Sequence, residues 1–75
     1  MVTVLISFYT QNQLQYKDSQ MDCYFGSDEL EILKKGVRNQ LCEDTGNDLN
    51  GGWFAVLNKW NGTGWETFEI VNIQN

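Results

Sequence analysis

The sequence predicts an α+β fold in which one α-helix packs on a mainly antiparallel sheet of three or four strands. Three observations predict it. An alternating apolar segment begins the chain, an apolar stripe at helical spacing follows in the middle, and two aromatic, β-branched runs flank the turn-forming residues 61–64. The predicted order of elements is therefore β-β-α-β-β, ending in a C-terminal hairpin.

Length and composition predict a single small domain over residues 1–75. A chain of 75 residues buries about 60% of the surface that its unfolded form exposes, which places it near the lower limit for independent folding. Its 41% hydrophobic content and its 3 Trp, 3 Tyr and 4 Phe are typical of a globular domain, despite a net charge of −5. A chain of this length cannot hold a second hydrophobic core.

Residues 2–10 are predicted to form a central strand. The side chains of one face are all apolar, and they are Val2, Val4, Ile6 and Phe8. Residues 11–20 are polar and are predicted to form a loop or an exposed hairpin tip. A short second strand is expected to begin at Gln20, because Met21, Cys23 and Phe25 alternate with Asp22 and Tyr24.

A helix is predicted from about residue 28 to about residue 42. Its apolar stripe consists of Leu30, Leu33, Val37 and Leu41, widened by Ile32. Ser27 or Asp28 is expected to cap its N-terminus, with Asp28 and Glu31 forming a capping box. Thr45 and Gly46 are expected to end it. Gly36 weakens the helix by up to about 1 kcal/mol relative to alanine, and close packing on the sheet is the expected reason for it.

Two registers are open for the C-terminal hairpin. A type I turn closed by a left-handed Gly64, with Asn61 opposite Trp65, turns Phe54 and Val56 inward with Phe68 and Ile70. A two-residue type I′ turn at Asn61 and Gly62 instead turns Trp53, Ala55 and Leu57 inward with Phe68 and Ile70. Either register leaves large apolar side chains on the second face. One helix covers one face only, so Leu5 and Tyr9 are expected to join them on the uncovered face.

The residue types argue against an enzyme. The chain has no histidine, which excludes imidazole catalysis and ordinary zinc sites. Cys23 and Cys42 are expected to be buried thiols, and Cys42 after a helix C-terminus would be a poor nucleophile. Residues 43–51 are similar in composition to a calcium loop, but their oxygen-bearing side chains do not have EF-hand spacing. We therefore expect no cofactor, no metal and no catalytic residue; a metal-binding or carboxylate-based enzyme is the least favoured alternative.

No apolar run reaches the roughly 18 residues that cross a bilayer, and the first residues are not typical of a signal peptide. The expected location is the cytoplasm, without membrane contact.

Aromatic residues in excess of one small core predict that the protein binds another protein. The predicted contact residues are Trp53, Trp60, Trp65, Tyr9, Tyr24, Glu43, Asp44 and Asp48. A net charge of −5 opposes direct nucleic-acid binding and favours a basic partner, such as an enzyme with a nucleic-acid groove that the acidic surface would mimic. The composition is similar to that of many short phage and mobile-element proteins that inhibit or redirect a host enzyme, which would place it in the host cytoplasm. The alternative is a homodimer or an accessory subunit that pairs through its strand edges.

Overall fold

A computed structural model of the protein describes residues 1–26, 28–46 and 52–73. Its elements are β1 (Val2–Tyr9), β2 (Gln15–Cys23), α1 (Glu29–Asp44), β3 (Phe54–Trp60) and β4 (Trp65–Asn72). The strands form one antiparallel sheet in the order β2-β1-β3-β4. The predicted α+β class and element order are confirmed, and β1 is a central strand as expected. The edges of the sheet are β2 and β4.

The second strand is longer than the sequence pattern indicates. It pairs with β1 from Val2 opposite Cys23 to Tyr9 opposite Gln15, so the predicted loop over residues 15–20 is wrong. Phe25 lies beyond the strand. Weak local β-propensity is outweighed here because β1 supplies hydrogen-bonding partners along the whole segment, and an edge strand can leave its polar side chains in water.

Two β-bulges place additional aromatic residues on the helix side of the sheet. The register with β1 shifts at Tyr16, and the register of β3 with β4 shifts at Phe68. Tyr16 packs 6.1 Å from the ring of Phe8, and Phe68 packs against the core and edge-on to Phe25. Each bulge therefore adds a ring to the buried layer without lengthening its partner strand.

The C-terminal hairpin has neither of the two predicted registers. Trp60 lies opposite Trp65, which leaves a four-residue loop over residues 61–64. The side-chain oxygen of Asn61 accepts hydrogen bonds from the backbone N–H groups of Thr63 and Gly64, at 3.0 and 2.9 Å. Gly62, rather than Gly64, has a positive φ of 101°. The asparagine side chain thus closes the turn locally.

This register decides which hairpin residues are buried. Ala55 and Leu57 face the helix, as the second register predicted, together with Val71 and Phe68. Phe54, Val56 and Ile70 alternate with them and lie on the opposite face, so the predictions that placed these three inward are wrong. The bulge at Phe68 explains the difference for Ile70, because it turns Phe68 inward and leaves Ile70 outward.

The helix runs two residues further than predicted. Thr45 follows its last turn and donates its backbone N–H to the carbonyl of Leu41, and Gly46 then takes a φ of +66°. Asp28 is the N-terminal flanking residue, but its side chain makes no capping hydrogen bond, so the predicted capping box with Glu31 is absent; Ser27 lies outside the described residues. The last turn of the helix contains Cys42. This helix is too short and too polar to cross a membrane.

The core lies between α1 and the sheet. It consists of Val4, Ile6, Phe8, Val37, Leu41, Ala55, Leu57, Val71 and Ile73. Ile32 does not belong to it, because 64% of its surface is exposed. Cys23 and Cys42 are half-buried free thiols at its margin, less buried than the sequence predicted.

Gly36 is not in close contact with the sheet. A Cβ built at this position would meet no atom within 4 Å, so the expected packing reason is wrong. A Cβ at Gly46 would also meet open space, but there φ is +66°. The two glycines therefore differ in backbone conformation and not in available room.

We expect Gly36→Ala to raise the free energy of unfolding by about 0.5–1 kcal/mol, because alanine favours the helix and nothing blocks its methyl group. Gly46→Ala is the matched control and is expected to lower the free energy of unfolding by about 1 kcal/mol, because alanine is strained at positive φ. Urea unfolding of the two variants measures both. A destabilised Gly36→Ala variant would mean that the helix packs closer to the sheet than described.

Candidate functional site

The face of the sheet that points away from α1 is the candidate site, and we call it the open face. Residues on it pair with one another across the strands, as Leu5 does with Asn58 and Val56 with Ile70. Its side chains are Gln15, Asp18, Gln20 and Asp22 of β2; Thr3, Leu5, Ser7 and Tyr9 of β1; Phe54, Val56, Asn58 and Trp60 of β3; and Trp65, Thr67, Ile70 and Asn72 of β4. No described helix covers them.

Two aromatic pairs mark the ends of the open face. Tyr9 stacks on Phe54 with ring centroids 4.9 Å apart and an angle of 8° between the rings. Trp60 and Trp65 meet edge to face, with centroids 5.3 Å apart at 70°. Phe54 and Trp60 are six residues apart on one strand, so the pairs are about 20 Å apart. Both pairs join neighbouring strands and hold their rings in fixed positions.

Aliphatic side chains connect the two aromatic pairs. Leu5 and Val56 are half-buried, and 50% of the surface of Ile70 is exposed. At the tryptophan end, 46% of Trp60 and 42% of Trp65 are exposed. The result is an apolar strip across β1, β3 and β4 that is in contact with water and is interrupted by one hydrogen-bonded polar pair, Asn58 and Thr67. Strips of this kind on small proteins are commonly binding surfaces.

Charge divides unevenly between the two sides of the sheet. Asp18 and Asp22 lie on the open face along the edge strand β2, where Thr3 donates a hydrogen bond to Asp22 at 2.9 Å. All basic residues of the chain lie on the helix side: Lys17, Lys34, Lys35, Arg38 and Lys59. The open face is therefore apolar with an anionic border and carries no Lys or Arg side chain.

The structure brings three of the predicted contact residues together on the open face: Tyr9, Trp60 and Trp65. Trp53 lies on the helix side, half-buried and edge-on to Tyr16 at 5.3 Å. Tyr24 is exposed just beyond β2, and Glu43 is exposed at the end of α1. Asp48 lies outside the described residues.

Sequence reasoning missed Phe54, Val56 and Ile70 as members of this surface, and it did not place the acidic residues Asp18 and Asp22 beside them. The alternation of residues in β3 contained the signal for the first two, but only the correct hairpin register assigns a face to it. Asp18 could not be assigned while its segment was taken for a loop.

The predicted contact residue Asp44 has a structural role in the last turn of α1. Its carboxylate accepts hydrogen bonds from the Tyr16 hydroxyl at 2.8 Å and the Gln40 amide at 2.9 Å, and it pairs with the ammonium of Lys17 at 2.7 Å. Lys17 also lies 4.9 Å from the centroid of the Phe8 ring. These contacts join the end of the helix to β2.

The same contacts shift the pKa values of Asp44 and Tyr16. Desolvation pushes the pKa of Asp44 upward, but the hydrogen bonds from Lys17, Tyr16 and Gln40 outweigh it, so the pKa of Asp44 lies below its ordinary value. Burial raises the pKa of the Tyr16 phenol, and the hydrogen bond to Asp44 and its charge raise it further. At neutral pH the carboxylate is ionised and the phenol is its donor.

We expect Asp44→Asn to lower the free energy of unfolding by about 1 kcal/mol at pH 7, since a partly exposed ion pair contributes little more. A folded-state pKa below the unfolded value means that the contribution is present above about pH 4 and is lost as pH falls further. The difference between wild type and variant should therefore vanish near pH 2. Urea unfolding at both pH values measures it.

The exposed neighbour offers a control, Glu43→Gln, which is expected to change stability by no more than about 0.5 kcal/mol at either pH. A stability difference for Asp44→Asn that stays constant from pH 7 to pH 2 would contradict the assignment to the charged carboxylate.

Across the described ranges, no three Cys, Asp or Glu side chains are grouped closely enough to hold a metal ion. Comparison of the chain with protein families, with curated proteins and with solved structures found no match.

Proposed function

We propose that this protein is a non-enzymatic binding module that holds another protein against its open face. The observation that supports the proposal is the exposed strip between the Tyr9–Phe54 and Trp60–Trp65 pairs. Aromatic residues held rigid by their neighbours are typical anchors of protein interfaces, because they bury much area and lose little conformational freedom on binding. A partner that meets both pairs needs an apolar ridge about 20 Å long.

Charge specifies the partner further. Asp18 and Asp22 border the strip on the β2 side, and no basic residue lies on that face to neutralise them. A partner surface with Lys or Arg beside its apolar ridge would pair with both carboxylates. Binding would cover that basic surface, and where the partner handles nucleic acid in a basic groove, the effect would be inhibition.

Single-stranded nucleic acid is a second class of ligand that stacks on aromatic side chains of an exposed sheet. Charge argues against it here. Affinity for nucleic acid comes largely from Lys and Arg beside the phosphates, and all of these residues lie on the opposite side of the sheet. A protein partner fits the open face better.

The first test uses Ile70→Glu, which adds a carboxylate at the centre of the strip. Ile70 is half exposed in the free protein, so the change leaves the core intact, yet it would bury an unpaired charge in the complex. We expect capture of the partner from a lysate of the source organism to fall at least tenfold. Asn39→Glu adds the same charge to the outer surface of α1 and is expected to leave capture unchanged.

Equal losses in the two variants would contradict binding at the open face. With the captured partner purified, its association should slow as salt rises from about 50 to 500 mM, because salt screens attraction to Asp18 and Asp22. The double variant Asp18→Asn, Asp22→Asn should lose most of this dependence. A wild-type association rate indifferent to salt would contradict the basic partner surface, and self-association of the chain as the only captured species would favour the homodimer instead.

A further inference from the structure

A second surface lies on the helix side of the sheet, where α1 does not reach β2. The helix packs mainly over β3 and β4, and Lys34 ties it to Glu69 at 3.6 Å. The opposite flank of the helix is separated from β2 by a groove of about 600 Å³. Its floor is Ile6 and Phe8 of β1, and one wall is the edge strand β2.

The groove is open, and its walls combine apolar side chains with polar residues such as Ser19 and Gln40. Ile32 on the helix is 64% exposed, and Met21 on β2 is 40% exposed. Between them Gly36 presents bare helix backbone, with no atom within 4 Å of where its Cβ would lie. A glycine in the middle of a helix lowers stability, and here it leaves room in the groove for side chains from a further segment of chain.

The strand that forms one wall is also an edge of the sheet. In the order β2-β1-β3-β4, β2 pairs with β1 on one side only, and it is nine residues long. Its outward backbone N–H and C=O groups can accept an added strand, which is a common mode of peptide recognition. The other edge, β4, differs because the helix and the Lys34–Glu69 ion pair cover its helix side.

Charge decides the chemistry of the added strand. Asp18 and Asp22 project from β2 toward the open face. At the end of β2, burial raises the pKa of the Cys23 thiol, and the nearby charges of Glu29 and Asp22 raise it further. The basic residue among the described groove-lining residues is Lys17, which is already paired with Asp44 at 2.7 Å. The β2 edge is therefore anionic on its open-face side, and its one cation on the groove side is already paired.

We infer that β2 binds an extended segment of another protein in which Lys or Arg alternates with aliphatic residues. Because side chains alternate across a strand, its basic residues would lie opposite Asp18 and Asp22, while its aliphatic residues would enter the groove beside Met21 and Ile32. A second copy of this chain is a poorer occupant. Pairing β2 with β2 would gather four aspartates on one face with no cation between them. The inference shares Asp18 and Asp22 with the proposed function but does not depend on the aromatic strip of the open face.

The test is an NMR titration of the whole ¹⁵N-labelled protein with a seven-residue peptide that alternates Lys and Val and has blocked termini. We expect shifts and slower hydrogen exchange of amides within Gln15–Cys23. A peptide with Glu in place of Lys should bind at least tenfold more weakly. A Lys-Val peptide with N-methyl groups on alternate backbone amides should not bind, because it cannot complete the strand pairing.

Gly36→Leu fills the groove and favours the helix. We expect this variant to bind the Lys-Val peptide at least tenfold more weakly than the wild type. Asn39→Leu adds the same side chain on the outer surface of α1 and should leave binding unchanged, as should Ile70→Glu on the open face. The spectra themselves report whether each variant is folded. Equal binding by wild type and Gly36→Leu, equal binding of the N-methylated peptide, no binding of the Lys-Val peptide, or shifts confined to β4 would each overturn the inference.

Discussion

The structure depends on a mismatch of width between its two layers. A helix with its side chains is about 10–12 Å wide, whereas four strands extend about 19 Å across a sheet. The single helix α1 can bury the inner side chains of β1, β3 and β4, but it leaves β2 beside an open groove, and no helix among the described residues covers the outer face. Both candidate surfaces result from this one constraint, because the chain has more apolar side chains than one helix can enclose.

Strong local periodicity predicted the class, the element order and most of the core. Two patterns were long enough to be recognised. The apolar stripe of α1 extends over several helical turns through Leu33, Val37 and Leu41, and the alternation in β1 extends over several pairs of residues. Pairing between strands that are distant in sequence decided the features that these local patterns could not predict. The strand character of residues 15–20 comes from β1, and the bulge at Phe68 separates the faces of Phe68 and Ile70 in a way that neither simple turn predicts.

The candidate site was predictable in part for the same reason. Tyr9, Trp60 and Trp65 could be identified because their size and number exceed what a small core holds, and composition alone reveals that. Composition could not separate them from Trp53, which packs against Tyr16, or from Asp44, which fixes the end of the helix. Nor could it show that every Lys and Arg of the chain lies on one side of the sheet, since that depends on the register of each strand.

The open face exists because β4 turns Ile70 outward and its neighbour Val71 inward. Relaxation of methyl protons by a soluble paramagnetic agent measures this directly, because relaxation increases steeply as the agent approaches. Ile70 is 50% exposed and Val71 is 1% exposed, so we expect strong relaxation of the Ile70 methyl groups and weak relaxation of those of Val71. Similar relaxation at both residues, or stronger relaxation at Val71, would contradict the hairpin register and with it the open face.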